Sequence, residues 1–255
     1  MKRIKIIVSY DGTNYCGWQI QPNGITIEEV LNKTISKLIH EDVKVIGASR
    51  TDSGVHALGN VAIFDSNTSI PPKRFMFALN QVLPDDIVVT HSEEVPMDWH
   101  PRYQESIKTY EYRIQVGEVP DPMRRLDHYF VSYHLDLEAM DKASKYLIGE
   151  HDFAGFTKEE CQDKNTVRKI YNATWTKVDD SLIFTIQGNG FLYNMVRMIV
   201  GMMLQIGRGY YQPKYIKDVL ENREKEVTKL TAQPQGLILR EISYIDSDTK
   251  MGDQR

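Results

Sequence analysis

Apolar and polar positions alternate or recur along the chain in ways that predict a mixed fold. Arg3 to Tyr10 is rich in Ile and Val and predicts a strand. Thr26-Ile27-Glu28-Glu29 has capping-box spacing, in which Thr26 accepts from the N–H three residues on and Glu29 reaches back. A helix then follows from the stripe Ile27, Val30, Leu31, Ile35, Leu38 and Ile39. Strands are predicted over Val43 to Ala48 and Leu58 to Phe64. Pro71-Pro72 opens a helix through Leu83, because proline in the first turn loses no hydrogen bond. Ile87 to Val95 is the next strand. Beyond it come a strand over Ile107 to Val116 and a helix over Leu137 to Ile148 capped by Asp136. Val167 to Val178 and Leu182 to Gly188 form a hairpin, and Phe191 to Ile206 an apolar helix. A helix from Pro213 and a strand over Leu237 to Tyr244 complete the order. Two successive mixed units, divided near Trp99 to Glu105, predict an α+β fold rather than a doubly wound sheet. The division is into residues 1–104 and 105–255, and a site between the halves follows the habit of ligand sites.

Composition narrows the class. At 255 residues the chain holds one large domain or two small ones, with enough core to need no staple. Its two cysteines, Cys16 and Cys161, exclude a disulfide framework and a cysteine-rich metal site, and fit a reducing cytosol. The N-terminal apolar run is too short for a signal peptide, and Asn194 and Arg197 interrupt the longest greasy stretch. A soluble, cytoplasmic protein with no membrane partner is expected. The net charge of −4 does not announce a nucleic-acid binder, yet acidic and basic residues are bunched. Acidic runs include Glu159-Glu160 and the tail after Ile245; basic ones include Arg124-Arg125 and Lys164/Arg168/Lys169. Charge alone reads as a mixed, solvated surface.

Three segments carry candidate chemistry. Gly47 to Ala57 gathers Gly, Ser, Arg, Thr and Asp in a loop after a strand, where backbone can approach a ligand. Asp52 there is either an anion favoured by a nearby cation such as Arg50 or a turn-capping residue. His56 reads equally as packed or exposed, with no second ligand at metal spacing. On the strand from Lys108, Tyr110, Tyr112, Ile114 and Val116 share one face, which is an aromatic core or a stacking platform. Arg197 lies among Met, Val and Ile with no carboxylate in its helix. On a buried face it needs an anion from elsewhere, Asp52 being the candidate; on a partly exposed one it snorkels.

Taken in order, these segments resemble the tRNA pseudouridine synthase A (TruA) family. Tyr10 to Gln21 matches YDGTxYxGWQxQ, Arg50 to Ala57 matches RTDxGVHA, and Lys108 to Tyr112 matches KxYxY. Gly188 to Gly201 matches GxGFLxxMVRxxVG, Pro234 to Leu239 matches PxGLxL, and His151-Asp152-Phe153 also matches. Several motifs in the family's order over nearly the whole chain form a specific signal. Ala48-Ser49 stands where the family more usually has glycine. The resemblance implies two RRM-like (ferredoxin-like) α+β halves with a continuous, mostly antiparallel sheet and a central catalytic cleft. It implies isomerisation of uridine to pseudouridine at positions 38, 39 and 40 of the tRNA anticodon stem-loop, by a homodimer with no metal or cofactor. Asp52 falls on the catalytic aspartate, Tyr110 on the base-stacking tyrosine, Arg197 on the arginine paired with the aspartate, and Arg50 on the residue that helps displace the target nucleotide.

That chemistry is compatible with the residues. Extruding a stem uridine costs a few kcal/mol, part of which stacking on Tyr110 would return. Asp52 has three possible acts: attack on C1′, attack on the ring, or abstraction of a ribose proton. Two other classes compete. A non-catalytic RRM-like module would need sheet aromatics but no Asp–Arg pair. An aspartyl phosphotransferase would need Mg²⁺ and a second carboxylate, for which Asp65 is poorly placed. Arg50, Arg102, Lys108, Arg113, Arg124, Arg125, Arg168 and Lys169 flank the motifs in sequence, and predict a basic RNA-binding face.

Overall fold

The computed structural model describes residues 1–158, 165–222 and 230–245. Cys161, Glu159-Glu160, Lys164 and the tail after Ile245 lie outside the described residues. The chain is α+β and divides into two compact units: Met1–Ile107 together with the chain from Leu239, and Lys108–Ile238. The C-terminal strand thus belongs mostly to the first unit.

In the first unit, β1 (Lys2–Tyr10) lies between β3 (His56–Ser66) and β4 (Ile87–Val95), antiparallel to both. Its alternate residues Ile4, Ile6, Val8 and Tyr10 are buried, as a one-faced strand requires. β10 (Leu237–Tyr244) lies next to β3 in the strand order. Helix α1 (Ile27–Ile39) buries Ile27, Leu31, Ile35 and Ile39. The Thr26 hydroxyl accepts from Glu29 N–H at 3.3 Å, while the Glu29 carboxylate takes Lys33 one turn on. The expected strand over Val43 to Ala48 shrinks to β2 (Ile46–Gly47), paired with β3. The Val43 and Val45 N–H groups donate instead to Ser36 Oγ and Asn32 Oδ1 on α1, so no ladder forms there. The helix expected through Leu83 is a 3₁₀ turn at Pro72–Arg74 followed by α2 (Phe75–Asn80).

In the second unit, β5 (Ser106–Val116), most of which falls here, pairs antiparallel with β9 (Ser181–Gly188). β9 pairs with β8 (Val167–Val178), and β8 with β7 (Gly149–Asp152). The short β6 (Tyr129–Val131) runs parallel to β5. Asp136 caps α3 (Leu137–Lys145), accepting from Ala139 N–H at 2.9 Å. α4 (Met195–Gly207) starts four residues later than the apolar run suggests, because Asn194 adopts a left-handed conformation at φ 59°. α5 (Tyr215–Asn222) follows. Among the described residues, no helix is long and apolar enough to cross a membrane.

Candidate functional site

The loop carrying Asp52 rests on the segment that follows β1. Trp18 N–H donates to Thr51 O at 3.1 Å, Gly54 N–H to Tyr15 O at 3.2 Å, and Ser53 Oγ to Tyr15 O at 3.2 Å. Two glycines permit the approach. A Cβ on Gly12 would lie 2.0 Å from Val55 O, and one on Gly17, at φ +82°, 2.5 Å from Thr51 O. Val55 N–H donates to Asp52 O at 3.1 Å and closes the turn, with Gly54 at φ +75°.

Polar side chains complete the cradle. His56 Nδ1 lies 3.0 Å from Gly12 N, and the Asp11 carboxylate stands 3.1 Å from the same ring nitrogen. Asn60, buried in the middle of β3, donates through Nδ2 to Ser49 O at 3.0 Å and accepts from Ser49 N–H at 3.3 Å. The Tyr10 hydroxyl meets Thr51 Oγ1 at 2.8 Å, and Arg102 Nε donates to Gly47 O at 2.7 Å. Arg50 and Asp52 therefore share one loop whose backbone is tied from several sides, with Arg50 exposed and Asp52 partly so. Sequence reasoning gave no role to Gly12 or Asn60. A polar residue inside the apolar run of β3 was the available signal for Asn60.

Tyr110 and Arg197 belong to the second unit. Tyr110 is only 6% exposed and meets Phe191 edge to face, with centroids 5.1 Å apart. Tyr112, on the same strand face, is fully buried and donates to Gln233 O at 2.7 Å. Burial, with Tyr129 nearby, raises the Tyr112 phenol above its ordinary pKa against an opposing pull from Arg197. Gly236 makes room for that ring, since its Cβ would lie 2.7 Å from Tyr112 Cζ.

Arg197 is half-buried on α4. Its Nε donates to Ala232 O at 2.8 Å and one terminal nitrogen to Asn194 Oδ1 at 2.9 Å, while its own carbonyl accepts from Ala232 N–H at 3.0 Å. The expectation that a carboxylate must satisfy this guanidinium is thus met in part by neutral acceptors. Asn194 heads the helix without capping it through its side chain, because Oδ1 serves Arg197. A Cβ on Gly201 would lie 1.4 Å from Leu230 O, so glycine seats the 230–233 segment on α4.

Several other sequence candidates have structural roles. Asp65 receives two hydrogen bonds from Arg3, at 2.7 and 2.8 Å. Asp152 accepts from Ala154 N–H and Thr166 Oγ1 at the end of β7. Arg113 pairs with Asp127 and Glu111, and Arg124 with Asp180 and Asp121, so these two members of the expected basic set are neutralised locally. Among the described residues, no three His, Cys, Asp or Glu side chains gather to hold a metal ion.

The fold and the locked aspartate loop meet a family match at this point. The tRNA pseudouridine synthase family matches residues 6–104 and 143–245, and the chain belongs to that family. It is similar to tRNA pseudouridine synthase A of Thermoanaerobacter sp. (strain X514), with 45% identity over 244 residues, covering 96% of this chain and 100% of the relative. The tRNA pseudouridine synthase A of Acetivibrio thermocellus is 44% identical with the same coverage. That of Exiguobacterium sp. (strain ATCC BAA-1283 / AT1b) is 44% identical over 96% of this chain and 98% of its own. Among solved structures, a chain of a Cbf5-Nop10-Gar1 complex matches at TM-score 0.35 and 13% identity, covering 79% of this chain and 45% of that one.

Proposed function

We propose that this chain isomerises uridine to pseudouridine at positions 38, 39 and 40 of the tRNA anticodon stem-loop, with Asp52 as the catalytic carboxylate. The observation that carries this reading is the loop around Asp52, whose backbone is fixed on both sides within a stretch that the family matches. The reaction breaks the C1′–N1 glycosidic bond and forms C1′–C5, with C5 losing a proton and N1 gaining one. No group is added and no electron is transferred. The protein must hold an ionised carboxylate against the nucleoside and retain the cleaved base while it turns.

In this reading Arg50, exposed beside Asp52, helps displace the target nucleotide. Tyr110 stacks the base, and Arg197 keeps Asp52 ionised. Tyr110 is buried in the free chain, so a uridine that reaches it must displace the groups that cover the ring. The enzyme works as a cytoplasmic homodimer on tRNA, without a metal or another cofactor. Pseudouridine mapping in anticodon-stem RNA provides the test. The wild type should modify the RNA with and without EDTA, and Asp52→Asn should fold, bind the RNA at least as well, and form no detectable pseudouridine. Product formation by Asp52→Asn would refute the mechanism.

A further inference from the structure

The segment from Trp99 to Tyr103 presents chemistry that the motifs do not absorb. Its backbone is anchored. Arg3 donates to Trp99 O at 3.0 Å, Tyr244 OH to Pro101 O at 3.1 Å, and Tyr103 N–H to His100 O at 3.1 Å. On this support the Tyr103 ring stacks on the His100 imidazole, 4.1 Å between centroids and 19° between planes, yet the residue is 83% exposed. His100 Nδ1 accepts from Arg102 N–H at 3.2 Å, which requires that nitrogen to be unprotonated. Burial, and then the charges of Arg102 and Arg3, hold the His100 pKa below its ordinary value, so the stack is neutral at pH 7.

Arg102 reaches from this turn to the strand end that leads into the aspartate loop, where Nε donates to Gly47 O at 2.7 Å. The Arg50 guanidinium is near enough to oppose its charge, after burial the largest influence on it, and Glu28 is the nearby carboxylate. Glu28 already accepts from Ile20 N–H at 3.0 Å, and among the described residues neither arginine forms an ion pair. Two guanidinium groups, Arg102 and Arg50, thus stand close to one another beside an open aromatic face. Cations for a backbone phosphate and a flat ring for a base are the two parts of single-stranded RNA recognition.

We propose that His100, Arg102 and Tyr103 form a nucleotide-binding element next to the aspartate loop: Arg102, with Arg50, holds an RNA phosphate, and the exposed face of Tyr103 stacks a base adjoining the target uridine. The element positions substrate and takes no part in bond breaking. This inference rests on the RNA-modifying function proposed above.

The test measures steady-state kinetics on an anticodon stem-loop RNA across a salt series, with urea unfolding as a check on folding. Tyr103→Ala should raise KM about tenfold with kcat nearly unchanged, as loss of one stacked base predicts, and Tyr103→Phe should restore it. Arg102→Gln should weaken binding and lower the slope of log K against log salt by about 1. Arg102→Lys should recover the slope but only part of the affinity, because lysine lacks the fork that also holds Gly47 O. Because Tyr103 is exposed, its variants read binding without disturbing the fold, even if Arg102 variants lose stability. A wild type that modifies RNA alongside a Tyr103→Ala variant with unchanged KM would overturn this element alone. A wild type that forms no pseudouridine would overturn the function. A Tyr103→Ala variant that changes oligomeric mass in light scattering, with unchanged RNA affinity, would assign the ring to a protein contact and also overturn the proposal.

Discussion

Around Asp52 the loop is seated through its main chain, whereas Arg197 is seated through hydrogen bonds of its guanidinium. The aspartate loop is held by hydrogen bonds from Trp18, Gly54 and Val55 N–H groups and by glycines at Gly12 and Gly17. Arg197 is held through its guanidinium, by the Ala232 carbonyl and the Asn194 amide oxygen. The difference follows from the groups. A carboxylate that must react gains from a rigid backbone, because its position is then set by the loop that carries it. A guanidinium has five donors and can give some to structure while keeping others for a second task. Changes at Asp52 should therefore act on chemistry with little effect on folding, and changes at Arg197 should act on both.

The largest effect on stability should come from breaking the backbone seat of the loop. Gly12→Ala places a Cβ against the Val55 carbonyl, and neither backbone can yield without moving the loop. Destabilisation of about 3 kcal/mol is expected from such overpacking, read from the urea midpoint. Single-turnover rates should fall at least about 100-fold, because the carboxylate is displaced by a fraction of an ångström or more. A Gly12→Ala enzyme with wild-type turnover would show that the cradle is not what positions Asp52.

Arg197→Met should cost less stability, about 2 kcal/mol, since it removes hydrogen bonds from a charged donor and leaves Ala232 O without that partner. The informative measurement is a double-mutant cycle with Asp52→Asn. If Arg197 serves catalysis through the charge of Asp52, its removal should add little further loss of activity once Asp52 is neutral. The part of its stability loss that comes from the bonds to Ala232 and Asn194 should remain, because those bonds do not involve Asp52. Fully additive catalytic losses would separate the two residues.

This contrast was half visible in the residues alone. Arg50 and Asp52 stand out because glycine, arginine and aspartate after a strand mark an exposed, ligand-facing loop. The supports are less legible. Gly12 and His56 are 44 residues apart in contact, and no periodicity links them. The same limit explains the errors in the fold. Val43 and Val45 have the composition of a strand, but long-range acceptors on α1 take their N–H groups. Apolar periodicity runs through Phe191 to Ile206 without registering that Asn194 is left-handed. β6 and β7 are too short for alternation to signal them. By contrast, β4 and β10 have the predicted limits, because each is bounded by local breaks in pattern.

A smaller effect should separate the strap beside Arg197 from the chemistry. Tyr112→Phe removes the bond to Gln233 O and leaves that carbonyl without this donor in a tightly packed region. A loss of about 1 kcal/mol in unfolding free energy is expected, with kcat unchanged within about twofold. A large fall in kcat with unaltered stability would instead give the Tyr112 hydroxyl a part in the reaction.

The smallest effect should come from Asn194→Gly, where two consequences oppose each other. The residue sits at φ 59° and uses Oδ1 to hold Arg197, so replacement removes one acceptor from a charged donor. Glycine relieves the left-handed backbone while removing that acceptor, and alanine removes the acceptor while leaving a β-carbon in an unfavourable conformation. Asn194→Gly should therefore change stability by less than about 1 kcal/mol, and Asn194→Ala should be about 1 kcal/mol worse than glycine. Turnover distinguishes backbone from side-chain control. If the Asn194 amide positions the guanidinium, both variants should lower kcat by a similar factor despite their different stabilities. If only the helix start matters, glycine should keep wild-type turnover and alanine should lose it, which would place the control at Arg197 in the main chain, as at Asp52.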